Sequence, residues 1–220
     1  YLAAAGVGTI GIVDDDVGEL SNLQRQVSHN SEEIGNPKVE SAKKCALRIN
    51  PNIQINVHNE RLDSRNSGQL ISKYDIVADG SDNFDTRLVV NDSCYAYEKP
   101  LVSAAINRFD GQISTFKAFQ RKEGSSLHPC YRCFVPNSPP QENTISCAET
   151  GVLGALCGVV GSIQATEVIK EIVGFGKSLS GSLFIVDGLC NEFRKISLPP
   201  DPNCPLCGLN PTITKISQGK

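Results

Sequence analysis

The feature that most constrains this chain is the alternation of strand-like and helix-like segments through its first half. "TIGIVDD" reads as a strand, and residues 37–50 read as a helix. That helix opens with Pro37, carries Val39, Ala42, Ala46 and Ile49 on one stripe, and stops before Pro51. "IQINVHN" alternates as a strand, "SGQLISK" is a short helix and "YDIVADG" a buried strand. "NFDTRLVVNDSCYAYEK" follows as a helix and "PLVSAA" as another strand. A β-α-β-α-β rhythm of this kind demands a parallel, doubly wound sheet, because a parallel return needs a crossover long enough to hold a helix. In such sheets ligands collect at the carboxyl ends of strands. Asp14 and Asp82 both stand at such ends, so two acids are expected to face one ligand.

The second half changes character. "DGQISTFKAFQ" reads as a long antiparallel strand, and a proline-rich loop follows. A helix over 151–173 and the closing strand pair "GSLFIVDG" and "NEFRKISL" complete an α/β fold with antiparallel additions to a mostly parallel sheet.

"GVGTIGIVDDD" has the glycine spacing of a dinucleotide fingerprint, but its context is reversed. The fingerprint needs a strand before the glycines and a helix after them. Here a helix-like tail, "YLAAA", comes first and a strand follows. The plainer reading makes Gly6 a helix C-cap, and it removes a nicotinamide-type oxidoreductase from consideration. "GFGKS" at 174–178 likewise lacks the spacing and the setting of a phosphate loop.

Nine cysteines include two tight pairs, Cys130-x-x-Cys133 and Cys204-x-x-Cys207, set in loops. Two such pairs close a tetrahedral zinc site, and a four-sulfur site has no open position for catalysis. Two disulfides or redox dithiols are the alternative, although neither pair shows the strand-to-helix setting of a redox motif. Cys45, Cys94, Cys157 and Cys190 sit in apolar periodic segments and are expected in the core; His29, His58 and His128 are expected at the surface. An odd cysteine count without a signal peptide fits a reducing, cytoplasmic setting. A net charge of −3 disfavours a nucleic-acid partner, and no apolar run reaches membrane-spanning length. The chain has no Met and opens on a helix tail, so a preceding N-terminal part is expected.

Three polar stretches carry candidate chemistry. "SNLQRQ" offers Asn22, Arg25 and Gln26 after a strand end, suited to oxyanions, with Lys38 as a further point charge. A solvated loop is the alternative. "GSDNFDTR" places Asp82 and Asn83 between a strand and a helix, where either serves as an N-cap or Asp82 holds magnesium. Cys147 lies just before the helix at 151, as a thiolate favoured by the helix or as an ordinary half-buried thiol.

Together "GVGTIGIVDDDVGELSNLQRQ", "IGNPKVESAKKCALRINP", "DGSDNFDTR", "KPLVSAA", "CYRCFVP", "SCAETGVLG" and "CPLCG" resemble the MoeB/ThiF (HesA/MoeB/ThiF) branch of the ubiquitin-activating-type adenylyltransferases, collinearly along nearly the whole chain. The resemblance implies a single adenylation domain over 1–220 whose glycine loop and first strand would precede Tyr1. It implies ATP-dependent adenylation, with release of pyrophosphate, of the C-terminal glycine of a small ubiquitin-fold sulfur carrier of the molybdopterin-synthase or thiamine type. By it, Asp14 holds the ribose. Ser21, Asn22, Arg25 and Lys38 surround the phosphates. Asp82 is the magnesium-linked aspartate essential for adenylation, with Asn83 beside it. Cys130, Cys133, Cys204 and Cys207 bind Zn2+. Cys147 matches a thiol that in some members links covalently to the carrier. ATP, Mg2+, a homodimer and a sulfurtransferase or cysteine desulfurase partner follow from the same resemblance. A non-catalytic, zinc-stapled scaffold that docks a ubiquitin-like protein is the competing reading.

Overall fold

A computed structural model describes residues 1–122, 125–138 and 151–214. The chain divides into two compact units, Tyr1–Leu62 and Asp63–Lys220.

The first unit opens with a single helical turn. Ala5 N–H donates to the Tyr1 carbonyl at 2.9 Å, and Val7 and Gly6 N–H close back on Leu2 and Ala3, both at 3.1 Å. Gly6 adopts φ +82°, a conformation that favours glycine, and the paired closing bonds are those of a Schellman cap. β1 (Thr9–Val13) then runs parallel to β2 (Gln54–His58), Thr9 opposite Gln54 and Val13 opposite His58. Between them lies α1 (Lys38–Ile49). Ala3, Ile53 and Ile55 form a small core with Ile10, Ile12, Ala46, Leu47 and Val57 packed on it. Val39 of the expected helical stripe is fully buried, but Ile49 is exposed. The helix ends one residue later at Asn50, whose side chain donates to the Ala3 carbonyl, so the core contact at this end passes through Leu47 and the Asn50 amide.

The second unit holds a five-stranded sheet in the order β3-β4-β5-β8-β9, made of β3 (Val77–Asp79), β4 (Leu101–Asn107), β5 (Asp110–Phe116), β8 (Ser182–Asp187) and β9 (Glu192–Ser197). β3 and β4 are parallel, and the remaining neighbours are antiparallel. A two-residue ladder, β6 (Arg121–Lys122) with β7 (Ser125–Ser126), stands apart. α2 (Ser67–Ile71) and α3 (Phe84–Ala96) pack together, α4 (Tyr131–Phe134) is one short turn, and α5 (Gly154–Val173) lies over β3, β4 and β5. Gly111 on β5 makes that approach possible, because a Cβ there would stand 2.3 Å from the Val160 side chain. The strand expected to be buried at 74–80 is shorter and more open, with Ala78 exposed. It is the terminal strand of its five-stranded sheet among the described residues.

Glu167, 2% exposed, anchors α5 from inside. Its carboxylate accepts from the Leu179 N–H, the Thr115 hydroxyl and the Lys170 ammonium. A buried carboxylate is tolerated because these donors replace its water.

Candidate functional site

In the first unit, β1 delivers Asp14 to its carboxyl end. The Asp14 Oδ1 accepts the Asp16 N–H at 2.9 Å, which turns the chain out of the strand. Asp16 then reaches the start of α1, where its Oδ2 accepts from Lys38 Nζ at 2.7 Å and its carbonyl accepts the Lys38 N–H at 2.9 Å. Lys38 is only 9% exposed, and its ammonium is held in place by the more exposed Asp16. Asp14, Asp15 and Asp16 lie close together, but Asp16 is committed to Lys38.

The "SNLQRQ" stretch is not an open loop. It begins in a short turn of 3-10 helix, Leu20–Asn22, whose backbone is tied by Asn22 Oδ1 accepting the Glu19 N–H at 3.0 Å. Ser21 hydroxyl donates to the Glu19 carboxylate, and Arg25 Nη1 donates to the Ser21 carbonyl at 2.9 Å. Among the described residues no further partner is seen for the other guanidinium donors of Arg25 or for Asn22 Nδ2. The histidines are half-buried rather than superficial. His29 Nδ1 lies 2.9 Å from Ser41 Oγ, and burial followed by the nearby Lys38 charge lowers its pKa below 6.5.

In the second unit, β3 ends on Asp79, which is 6% exposed. Its Oδ1 accepts the Ser81 N–H at 2.9 Å and its Oδ2 accepts the Ser103 hydroxyl at 3.1 Å. Gln164 Nε2 on α5 donates to the carbonyls of Asp79 and Val102, binding the end of β3 to the first residues of β4. Beyond this anchor Asp82 is exposed, and Asn83 caps α3 through Oδ1 accepting the Thr86 N–H at 2.9 Å. Asn83 therefore fills the N-cap role, and Asp82 carries its carboxylate free of it, with Asn83 Nδ2 at 3.5 Å its one hydrogen-bond partner among the described residues. Sequence reasoning passed over Asp79, Arg87 and Asp16; the acid run after β1 and the acid ending "IVAD" are the only local signals for the two aspartates.

The four paired cysteines converge. Cys130 Sγ stands 3.5 Å from Cys204 Sγ, Cys133 Sγ 3.4 Å from Cys207 Sγ, and Cys130 lies 4.0 Å from Cys133. A tetrahedron of Zn–S bonds of about 2.3 Å has edges of about 3.8 Å, so the cluster fits zinc. None of the four is joined to another by a disulfide, which sets aside the disulfide alternative. The first pair is not in a loop: Cys130 is the N-cap of α4 and Cys133 lies inside it. One helical turn brings residues three apart onto one side, which is why the thiols face a common centre. Hydrogen bonding among the four thiols pushes Cys130 up and Cys133 and Cys204 down, so the cluster takes up and releases protons as one unit. Asp201 N–H donates to Cys133 Sγ at 3.3 Å. Gly208 closes the second knuckle; a Cβ there would meet the Cys204 carbonyl at 2.5 Å.

Of the single cysteines, Cys94 is buried, Cys45 and Cys157 are half-buried, and Cys190 is exposed. Cys190 therefore leaves the expected core: it sits in the β8–β9 turn, its N–H donating to Asp187 Oδ1 at 3.0 Å. Cys147 lies outside the described residues.

A sheet with parallel and antiparallel strands, acids at its carboxyl ends and a four-thiol cluster defines a class, and residues 1–206 match the ThiF family; the chain belongs to it. Its relatives are specific. It is 44% identical over 216 residues to the sulfur carrier protein adenylyltransferase of Thermus thermophilus, covering 96% of this chain and 78% of that protein. It is 42% identical to the adenylyltransferase and sulfurtransferase MOCS3 of Drosophila persimilis, over 98% of this chain and 47% of that protein. The Mus musculus MOCS3 gives 44% identity, with 98% and 46% covered. The chain thus spans about half the length of the MOCS3 relatives. Among solved structures, E. coli MccB with ATP superposes with a TM-score of 0.76 at 20% identity, covering 94% of this chain and 61% of that one, a likeness of fold.

Proposed function

We propose that this chain catalyses the ATP-dependent adenylation of the C-terminal glycine of a small ubiquitin-fold sulfur-carrier protein, with release of pyrophosphate. The observation that carries the reading is the 44% identity, across 96% of the chain, to an enzyme of that name. The carrier is of the molybdopterin-synthase or thiamine type. Residues 1–220 act as one adenylation domain, in a cytoplasmic homodimer supplied with sulfur by a sulfurtransferase or a cysteine desulfurase.

The chemistry asks little of acids and bases. A carboxylate oxygen of the carrier attacks the α-phosphorus of ATP, the bond to the bridging oxygen breaks, and its electron pair leaves with pyrophosphate. No proton moves, because the glycine carboxylate is already ionised at neutral pH. The obstacle is charge, since an anion must approach a polyanion. Arg25 and Lys38 neutralise the phosphates, and Asp14 accepts hydrogen bonds from the ribose hydroxyls. Ser21, on turning its hydroxyl away from the Glu19 carboxylate, and the side-chain amides of Asn22 and Asn83 donate hydrogen bonds around the phosphates. Asp82 holds Mg2+, which when bound supplies further charge neutralisation to the leaving pyrophosphate. Cys130, Cys133, Cys204 and Cys207 hold Zn2+ as a structural staple, its four positions all filled by sulfur. Cys147 serves a later covalent link with the carrier and is dispensable for adenylation.

Carrier-dependent exchange of labelled pyrophosphate into ATP tests the reading. The native protein and Cys147→Ala exchange label, and Asp82→Ala does not. Absence of exchange with both carrier types, in protein that retains zinc, establishes the docking scaffold instead.

A further inference from the structure

The segment that carries Asp82 is gripped from two sides at a single peptide unit. The Ser81 N–H is held by the buried Asp79 carboxylate. The Ser81 carbonyl, on the other side, accepts two bonds from one guanidinium, Arg87 Nε at 3.0 Å and Arg87 Nη2 at 2.6 Å. Arg87 is 7% exposed, with its charged group also 5.5 Å from the centre of the Phe84 ring. Among the described residues no carboxylate lies within ion-pair distance of it.

That arrangement is costly as a stabilising device. A buried cation without a counter-ion bears a desolvation penalty that the neutral Ser81 carbonyl, the Phe84 ring and the Tyr131 hydroxyl offset only in part, whereas a neutral side chain of similar volume bears none. A forked donor on one carbonyl does something a neutral side chain cannot: it fixes the rotation of that peptide as well as its position. The next residue is Asp82, whose own side chain has no strong tether. The direction of its carboxylate is therefore set by the Ser81 peptide before it and the capped Asn83 after it.

We propose that Arg87 is a positioning residue for Asp82. By clamping the Ser81 carbonyl against the Asp79 grip on the Ser81 N–H, it holds the Asp82 carboxylate in the direction needed to bind Mg2+. This rests on the proposed role of Asp82 in adenylation. Arg87 touches no reacting atom and acts through the backbone. The fold supplies the clamp cheaply in sequence, since Arg87 lies one helical turn beyond the cap, on the buried side of α3.

The test uses the purified, zinc-retaining protein with Arg87→Met, which keeps the volume, Arg87→Lys, which keeps a single-point donor, and Leu88→Ala, a neighbouring core change on the same helix. Two quantities are read: amide hydrogen exchange over 80–83, and the Mg2+ concentration that half-saturates pyrophosphate exchange. For Arg87→Met, amide exchange at Ser81 accelerates at least about tenfold relative to the middle of α3, and the Mg2+ requirement rises by about tenfold. Arg87→Lys lies between it and the native protein. Leu88→Ala lowers the melting temperature and leaves both local readouts unchanged. If Arg87→Met only lowers the melting temperature, with amide protection and Mg2+ curve overlaying the native ones, the proposal is wrong. Asp82→Asn, run alongside, separates the two layers. If it leaves the Mg2+ curve intact, the role of Asp82 falls. If it abolishes exchange while Arg87→Met behaves as native, only the clamp falls.

Discussion

The guanidinium of Arg132 closes on the carboxylate of Asp92 through two parallel hydrogen bonds of 2.7 Å, Nε to Oδ1 and Nη2 to Oδ2. This pair joins α3 to the short helix that bears Cys130 and Cys133, and beside it Asn91 Oδ1 accepts the Tyr131 N–H at 2.7 Å. The thiol cluster is thus tied to the helix whose first turn follows Asp82. Both side chains are largely buried, so the pair is not a solvent-screened surface contact. Asp92→Ala, which strands the buried guanidinium, is expected to cost about 3–5 kcal/mol. Arg132→Met in the same background is expected to recover part of that loss, because it removes the orphaned charge. Urea unfolding of the two single variants and the double variant measures both effects.

Zinc is expected at about one ion per chain, since the four sulfurs span one tetrahedron. Cys204→Ser removes the most buried ligand of the second pair and is expected to bring the zinc content close to zero. Loss of the metal should lower the melting temperature by more than a core truncation does, because the site joins segments about seventy residues apart in the chain. Elemental analysis with calorimetry on the same samples reads both. Zinc content unchanged in Cys204→Ser, or a melting point indifferent to chelation, would contradict the staple role.

What the sequence made legible was what depends on neighbours along the chain. The Gly6 cap, the 37–50 helix, the strand pairs of the second half and the two cysteine pairs all rest on spacing and local chemistry, and the structure places each one. What stayed hidden depends on contacts between distant segments. Asp79 looks like any acid at a strand end; only Ser103 and Gln164, 24 and 85 residues away, make it a buried anchor. Lys38 reads as a free charge at a helix start until Asp16, 22 residues earlier, is found paired with it. Cys190 follows an apolar strand, but the turn at Asp187 carries it outward before any core position is reached. Asp82 and Asn83 shared one motif in the sequence; the structure separated them by giving the cap to Asn83.

That separation makes opposite predictions for adjacent residues. Asp82 is exposed and contributes no strong bond to the fold. Asp82→Asn is therefore expected to change stability by no more than about 0.5 kcal/mol. Its pyrophosphate exchange should fall by at least about a hundredfold, a loss comparable to removing one preorganised charge-stabilising group. Asn83→Ala should cost about 1 kcal/mol through loss of the cap. A thermal melt of each variant beside its exchange rate distinguishes them, and equal destabilisation by the two changes would contradict the assignment of the cap.

His29 gives the first unit a predictable sensitivity to acid. Burial, and then the positive charge of Lys38, lower its pKa from 6.5, while Asp14 and Glu33 oppose the shift. His29 Nδ1 lies 2.9 Å from Ser41 Oγ, and the lowered pKa means that the fold favours the neutral ring. Below pH 6.5 the unfolded chain takes up a proton at this position before the folded chain does, so stability falls as pH drops through that value toward the lowered folded pKa. Glu33 acts in a lower window. Its hydrogen bonds from Lys44 and Asn36 hold its carboxyl below 4.5, so its contribution is present above that pH and is lost as pH falls through the folded value. His29→Asn, which keeps a hydrogen-bonding atom near the Nδ1 position but cannot titrate, is expected to flatten the decline in melting temperature just below pH 6.5. The decline below pH 4.5 should remain. Melting curves collected across both windows would show a single altered segment, and an unaltered slope below pH 6.5 would mean that His29 is as readily protonated in the folded chain as in the unfolded one.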